Sequence, residues 1–187
     1  MTGRPGTRRR TALYSSANAF LTTAVIGAVA LGTGQPLLFP SLGPTAFLLF
    51  AQPHLAPASP RNTVLGHLIG VLAGATGLAV FDLWRTAPDL THVTWARTGA
   101  AALALALTCG AMTALAVPHP PAGATTLIVS LGLLRTPAHL AILMVGVIGL
   151  TTLGYLVNRL AGVPYPIWRP VAATPDDRRP EPHRADA

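Results

Sequence analysis

Val117-Pro118-His119-Pro120-Pro121-Ala122-Gly123-Ala124-Thr125-Thr126 is a polar, proline-broken knot set inside an apolar run. From Thr98 to Leu134, 37 residues, there is no Asp, Glu, Lys or Arg. That is far more than the ~20 residues a helix needs to cross a hydrocarbon core, so the run holds one spanning helix and something else. The prolines locate the break. Proline lacks the backbone donor and clashes within a helix interior, so a helix from Trp95 ends near Val117. A new one opens near Pro121 and runs from about Ala122 to Leu134, too short to span.

The same pattern occurs once more. Pro40-Ser41-Leu42-Gly43-Pro44-Thr45 and Pro120-Pro121-Ala122-Gly123-Ala124-Thr125 both read P-x-x-G-x-T, 80 positions apart. Each is followed by an apolar run and then by an arginine that opens a spanning segment, Arg61 and Arg135. The shared order of span, knot, short helix, arginine and span reads as a duplicated unit, with repeat 1 over about 13–84 and repeat 2 over about 95–160. Repeats of this kind recur in transporters, whose sites lie at the repeat interface and are built from discontinuous helices.

Composition places the chain in a membrane. Of its 187 residues, 10% are charged and 51% apolar, outside the usual soluble range. All 13 basic residues are arginine, and the net charge of +7 sits mostly in the tails. No nucleic-acid-binding pattern accompanies that charge, so the basic N-terminus is read as a topology signal. Cys109 is the single cysteine and lies in a predicted span, which makes it an inert thiol. Arg8-Arg9-Arg10 precedes an apolar stretch as in a signal peptide. The stretch from Leu13 to Gln35 is too long for such a leader, and no cleavage is expected.

In order, the chain predicts a basic, disordered cytoplasmic tail (1–12) and a first span (13–35). A proline-rich segment (36–60) follows, holding only a short helix at about 45–52. A second span (62–84) carries Gly66, Gly70 and Gly74 on one face, fit for close packing. A polar connection (85–94) lies between Trp84 and Trp95. The third span (95–117), the second knot with its half-helix, and the fourth span (138–160) complete the membrane domain, and 161–187 is a disordered tail. Irregular backbone at membrane depth must be enclosed by protein or line a watery cavity, so both short helices are read as re-entrant. Eleven arginines then fall on the side of the termini and two, Arg61 and Arg135, on the other, so both termini are expected in the cytoplasm of a plasma-membrane protein. The fold class is all-α: four spans plus two re-entrant half-helices, as a parallel internal repeat.

A helix N-terminus carries unpaired N–H groups and the positive end of the helix dipole, which together attract anions. Ser41, Gly43 and Thr45 in the first knot and His119, Gly123, Thr125 and Thr126 in the second are the candidate anion-binding residues. Arg61 and Arg135 would draw anions in at an outer mouth. His119 either binds or gates the anion on protonation, its reference pKa being ~6.5, or braces the loop as a neutral ring. His67 is expected to be structural, and His54 and His139 interfacial. No histidine spacing fits a metal-binding helix, Ser41 and Ser130 have no paired base, and no carboxylate pair serves acid–base chemistry. Neither a catalytic site nor a cofactor is expected.

His119-Pro120-Pro121 followed by Ala122-Gly123-Ala124, with FPSLGPTAFLLFA at 39–51 and SPRNTVLGHLIG at 59–70, resembles the HPP family of small integral membrane proteins. The resemblance covers about Leu13 to Leu160. It implies a bundle of about four or five transmembrane helices and nitrite transport, and it marks Arg61, Asn62, Gly66 and His67 as motif positions, adding Asn62 to the candidate mouth. The expected function is a channel or carrier for a small monovalent anion such as nitrite, in a chain that contacts lipid and assembles with copies of itself. The alternative is a non-transporting membrane scaffold or subunit.

Overall fold

Proline and hydroxyl side chains set the helix starts. Pro60 and Pro137 open their helices, where the missing N–H costs nothing. The side chains of Ser59 and Thr136 cap these two helices and that of Thr94 a third, by accepting from the N–H groups of Asn62, His139 and Arg97. Such caps are each worth about 1 kcal/mol. The computed structural model describes residues 5–170. Over that range it has six helices: α1 (Pro5–Thr33), α2 (Leu42–Ala51), α3 (Pro60–Val80), α4 (Trp95–Ala114), α5 (Ala122–Ser130) and α6 (Pro137–Leu160). A 3-10 turn, Ala56–Ala58, leads into α3, and there is no strand among the described residues.

Three helices are long and apolar enough to cross a membrane: Thr7–Thr33, Pro60–Val80 and Pro137–Leu160. α4 has 20 residues but carries Arg97 in its first turn and is not among them. α2 and α5, with 10 and 9 residues, are each far too short, since a helix rises ~1.5 Å per residue. Two expectations about the tails change. Residues 5–12 continue α1 rather than hang free, as arginine and alanine favour helix. Residues 161–170 dock on the bundle: Tyr165 is buried and its hydroxyl donates to the Ala58 carbonyl, and the Trp168 carbonyl accepts from Arg61 N. The expected disorder of 171–187 falls outside the described residues.

Directions of the helices follow from their contacts. Gly66, Gly70 and Gly74 of α3 lie against His119, Ala122 and Val129 in turn, so α5 runs parallel to α3. Gly77 of α3 meets Ala100 of α4, and Arg61 reaches the Ala116 carbonyl, so α4 runs antiparallel to α3. Gly146 and Gly154 of α6 meet Leu42 and Leu49 of α2, so α2 runs parallel to α6. α6 opposes α3: Arg61 lies by Trp168 near the end of α6, while Val129 and Leu78 pack with Leu140 near its start. α1 opposes α2 and α6, with Tyr14 bonded to Asn158 and packed on Phe50.

One end of the bundle therefore gathers the starts of α1 and α3 and the ends of α2, α4 and α6. The other gathers the ends of α1, α3 and α5 and the starts of α4 and α6. α2 and α5 point in opposite directions. This corrects the expectation of two half-helices rising the same way in a parallel repeat: glycine packing along α3 and α6, not the knots, sets which way each short helix runs.

Contacts hold the halves together without a large hydrophobic contribution, because lipid is as apolar as the side chains it replaces. Leu49, Phe50, Leu143, Val147 and Leu150 form the larger cluster. α3 and α5 approach closely, for a Cβ added at Gly70 would sit 2.7 Å from the Ala122 carbonyl oxygen and one at Gly74 would sit 2.6 Å from Val129 Cβ. Only glycine lets α3 and α5 come this near.

Candidate functional site

α3 brings His67 to the point where both knots arrive. Its ring lies between the two repeat-motif threonines, with Nε2 3.0 Å from Thr45 Oγ1 of the first knot and Nδ1 2.7 Å from Thr125 Oγ1 of the second. His119 stands beside it, Nε2 to Nε2 at 3.2 Å, with ring centroids 4.8 Å apart. His119 Nε2 is also 3.4 Å from Thr45 Oγ1. All four side chains have no exposed surface. His67 is seven residues from the start of α3, so the cluster lies ~10 Å inside the bundle.

Hydrogen-bond accounting fixes the proton positions of the uncharged site. His119 Nδ1 is 2.7 Å from the Pro57 carbonyl, which only accepts, so Nδ1 carries the hydrogen and Nε2 is bare. Thr45 donates its hydroxyl to the Ser41 carbonyl at 2.8 Å, so it accepts from His67 Nε2–H. Nδ1 of His67 is then bare and accepts from the Thr125 hydroxyl. The chain reads Thr125 to His67 to Thr45 and His119, with every proton in use.

Other predicted residues fall around this cluster. Ser41 stands just before α2 without capping it, is fully buried, and its Oγ has no hydrogen-bond partner; Thr63 Oγ1, on α3, is in the same condition. Thr126 pairs with Thr108 of α4 at 2.7 Å and with the Ala122 carbonyl at 3.0 Å. Gly43 is exposed with open space beside it, and Gly123 faces Leu105 at 3.7 Å. A groove of about 640 Å³ along α4 is walled by Thr108, Cys109, Met112, His119, Pro120 and Gly123. A second, of about 450 Å³, runs between Pro44, Phe47 and Leu48 of α2 and Pro120, Pro121 and Ala124. The two short helices thus begin side by side.

Two expectations are corrected. The N–H groups of Ala122, Gly123 and Ala124 do not stand open; they donate to the carbonyls of His119, Pro120 and Pro121, so the α5 terminus is closed by its own tight turn. Nor do Arg61, Asn62 and Arg135 form one mouth. Arg61 donates to the Ala116 carbonyl and to Asn62 Oδ1, both at 3.1 Å, and buried Asn62 braces the Ala56 carbonyl at 2.9 Å. Arg135 lies at the opposite end of the bundle beside Arg97, whose guanidinium it repels. The physical reason is the reversed direction of α5, which carries the following arginine to the other side.

Sequence reasoning treated His67 as structural and gave no role to Pro57 or Thr108. One signal for His67 was present: it is the single titratable residue between Arg61 and Asp82, next to the glycine face that admits the second knot. Nothing in the sequence pointed to the Pro57 carbonyl, which any residue supplies.

No curated protein and no solved structure matches the chain. The family model described as the HPP transmembrane region matches residues 4–166, a span that includes every residue of the cluster. The chain belongs to the HPP transmembrane family, and it is an integral membrane protein.

Proposed function

We propose that this protein carries a small monovalent anion across the plasma membrane, nitrite being the candidate that the family resemblance supplies, and that passage goes through the meeting point of the two knots. One observation carries the reading: the threonines of both P-x-x-G-x-T motifs bond to opposite nitrogens of one buried histidine. An intramembrane ionisable group enclosed by broken helices is where transporters bind their cargo.

The directions of α2 and α5 extend this to topology. Each knot enters from one end of the bundle and its short helix leaves by the other, so knot and helix together make one discontinuous crossing instead of a re-entrant loop. Six crossings result, with both termini on one side. The halves are then an inverted repeat, related by an axis in the membrane plane. Ten arginines fall on the side of the termini (4, 8, 9, 10, 61, 159, 169, 178, 179 and 184) and three on the other (85, 97 and 135). That bias favours cytoplasmic termini.

Purified protein in liposomes tests the reading. Uptake of nitrite is expected to exceed that of empty vesicles, with His119→Ala or Gly123→Leu reducing it about tenfold or more, the loss of ~1.4 kcal/mol of stabilisation. Gly123→Leu would push a side chain into the groove along α4. The second reading, a non-transporting scaffold, is favoured by the completeness of the cluster, whose four side chains are wholly buried and mutually bonded as in a plug. Uptake equal to that of empty vesicles for nitrite, nitrate, formate and chloride alike would establish it. An assembly of copies belongs to the first reading: α1 leaves Phe20, Leu21, Val29 and Leu31 exposed, whereas α3 buries much of its length. Crosslinking in native membranes that yields monomer alone would oppose assembly.

A further inference from the structure

The cluster has a proton capacity that follows from its geometry. In the uncharged state four groups share a fixed set of hydrogens, and the two Nε2 atoms at 3.2 Å hold one hydrogen between them, on His67. A single additional proton can be taken without breaking the chain. It enters at His67 Nδ1, which then donates to Thr125 Oγ1 at 2.7 Å, while the Thr125 hydroxyl turns away. A second would have to go to His119 Nε2, placing N–H against N–H at a distance where only one hydrogen fits. The pair therefore accepts one proton and one only.

The charge so created has no partner in the protein. α2, the 3-10 turn and α5 have no titratable or charged side chain, and the second knot adds only His119 itself. α3 offers Arg61, a cation already bonded to the Ala116 carbonyl and Asn62. α4 turns Cys109 to the groove and holds Arg97 at the far end. α6 has His139 and Arg159 near its ends and Tyr155, whose ring packs on that of Tyr165, and the Tyr14 phenol of α1 is bonded to Asn158. Among the described residues the only carboxylates, Asp82 and Asp89, lie in the loop after α3. An isolated charge in such surroundings is costly unless it is paired. A monovalent anion supplies the missing partner, and the buried, unpartnered hydroxyls of Ser41 and Thr63 are donors not committed to the protein.

We infer that the protein moves its anion together with one proton, as an electrically neutral pair, the proton being held on the His67–His119 couple. This rests on the transport reading above and specifies it. The anion and the proton enter from one side and leave on the other; no bond to the anion is made or broken.

The test uses full-length protein in liposomes loaded with a pH-sensitive dye, with nitrite added outside and protein-free vesicles giving the background of undissociated acid. Nitrite entry is expected to acidify the lumen one proton per anion. Its rate should rise as external pH falls and should not change under a potassium diffusion potential of either sign. His67→Gln keeps hydrogen bonding but cannot ionise, and it is expected to abolish the pH dependence; Thr125→Val is a second variant if His67→Gln does not fold. Nitrite entry that follows the imposed voltage without acidification would overturn the neutral pair while leaving anion transport standing. Absence of any entry above background for every anion offered would overturn both.

Discussion

Thr125 and Gly66 show how much of the site rests on single atoms. Thr125→Val keeps the shape but removes the donor to His67 Nδ1, leaving a buried acceptor unpaired at a cost of about 1–3 kcal/mol. Thr125→Ser should restore most of the loss, measured as thermal stability in detergent. At Gly66, a Cβ would lie 2.6 Å from His119 Cβ, and His119 is tied to Pro57 and cannot swing aside. Gly66→Ala is therefore expected to displace His119, with a fall in uptake larger than the fall in stability. Outside the membrane, Asp89 closes the loop before α4. Its carboxylate accepts from the Thr91 hydroxyl and from the N–H groups of His92 and Thr91, in that order the causes that lower its pKa to about 2. A lowered pKa means the cap is at full strength above the ordinary carboxylate value of ~3.9 and is lost as pH falls toward 2. Amide exchange at Thr91 and His92, taken relative to the intrinsic rate at each pH, should show protection at pH 5 that is lost between pH 4 and 2. Exchange already fast at pH 5 would contradict this. His119 was legible in the sequence because prolines flank it; His67 was not, because one histidine inside an ordinary apolar helix looks like any other until its neighbours are known.

Helices were the most legible level. Charge-free runs and prolines located α3, α4 and α6 to within a few residues, and the second knot located the start of α5, whereas α2 begins at Leu42, three residues before the expected start. Their ends were harder: α5 stops at Ser130 instead of Leu134, where Gly132 takes a left-handed turn, φ 81°, and the N–H groups of Gly132 and Leu133 close the helix on the carbonyls of Val129 and Ile128. Glycines separate into two kinds that the sequence does not distinguish. Gly74 is pressed against Val129 and the Thr126 carbonyl, whereas Gly110 and Gly149 have nothing within 4 Å. Gly74→Ala should destabilise by about 1–3 kcal/mol, the usual cost of overpacking. Gly110→Ala and Gly149→Ala should be neutral or stabilise by up to about 1 kcal/mol through helix propensity. Thermal unfolding in one detergent compares all three, and equal losses would mean that the α3–α5 contact is looser than the packing indicates.

At the scale of the molecule, the doubling of the motif could be read from the chain, but its handedness could not. Identical short motifs fit a parallel or an inverted pair equally well, and the arginine count favours cytoplasmic termini in both, eleven against two or ten against three. Long-range packing sets the directions of the two short helices, through glycines of α3 and α6 that receive α5 and α2. Cysteine labelling tests the outcome. In a Cys109→Ser background, a cysteine at Ala87 should react with an impermeant reagent from the side opposite the termini, and one at His54 from the side of the termini. The reverse pattern, Ala87 labelled from the side of the termini and His54 from the opposite side, would restore re-entrant loops.

The opposed short helices have an electrical consequence. Peptide dipoles add along each helix, but α1, α3 and α5 point one way along the bundle while α2, α4 and α6 point the other, so along its axis they nearly cancel. A field acts on a protein through displaced charge, ~2.3 kcal/mol per elementary charge for each 100 mV. With almost no net moment along its axis and no formal charge on the uncharged cluster, the bundle offers a transmembrane voltage almost nothing to grip.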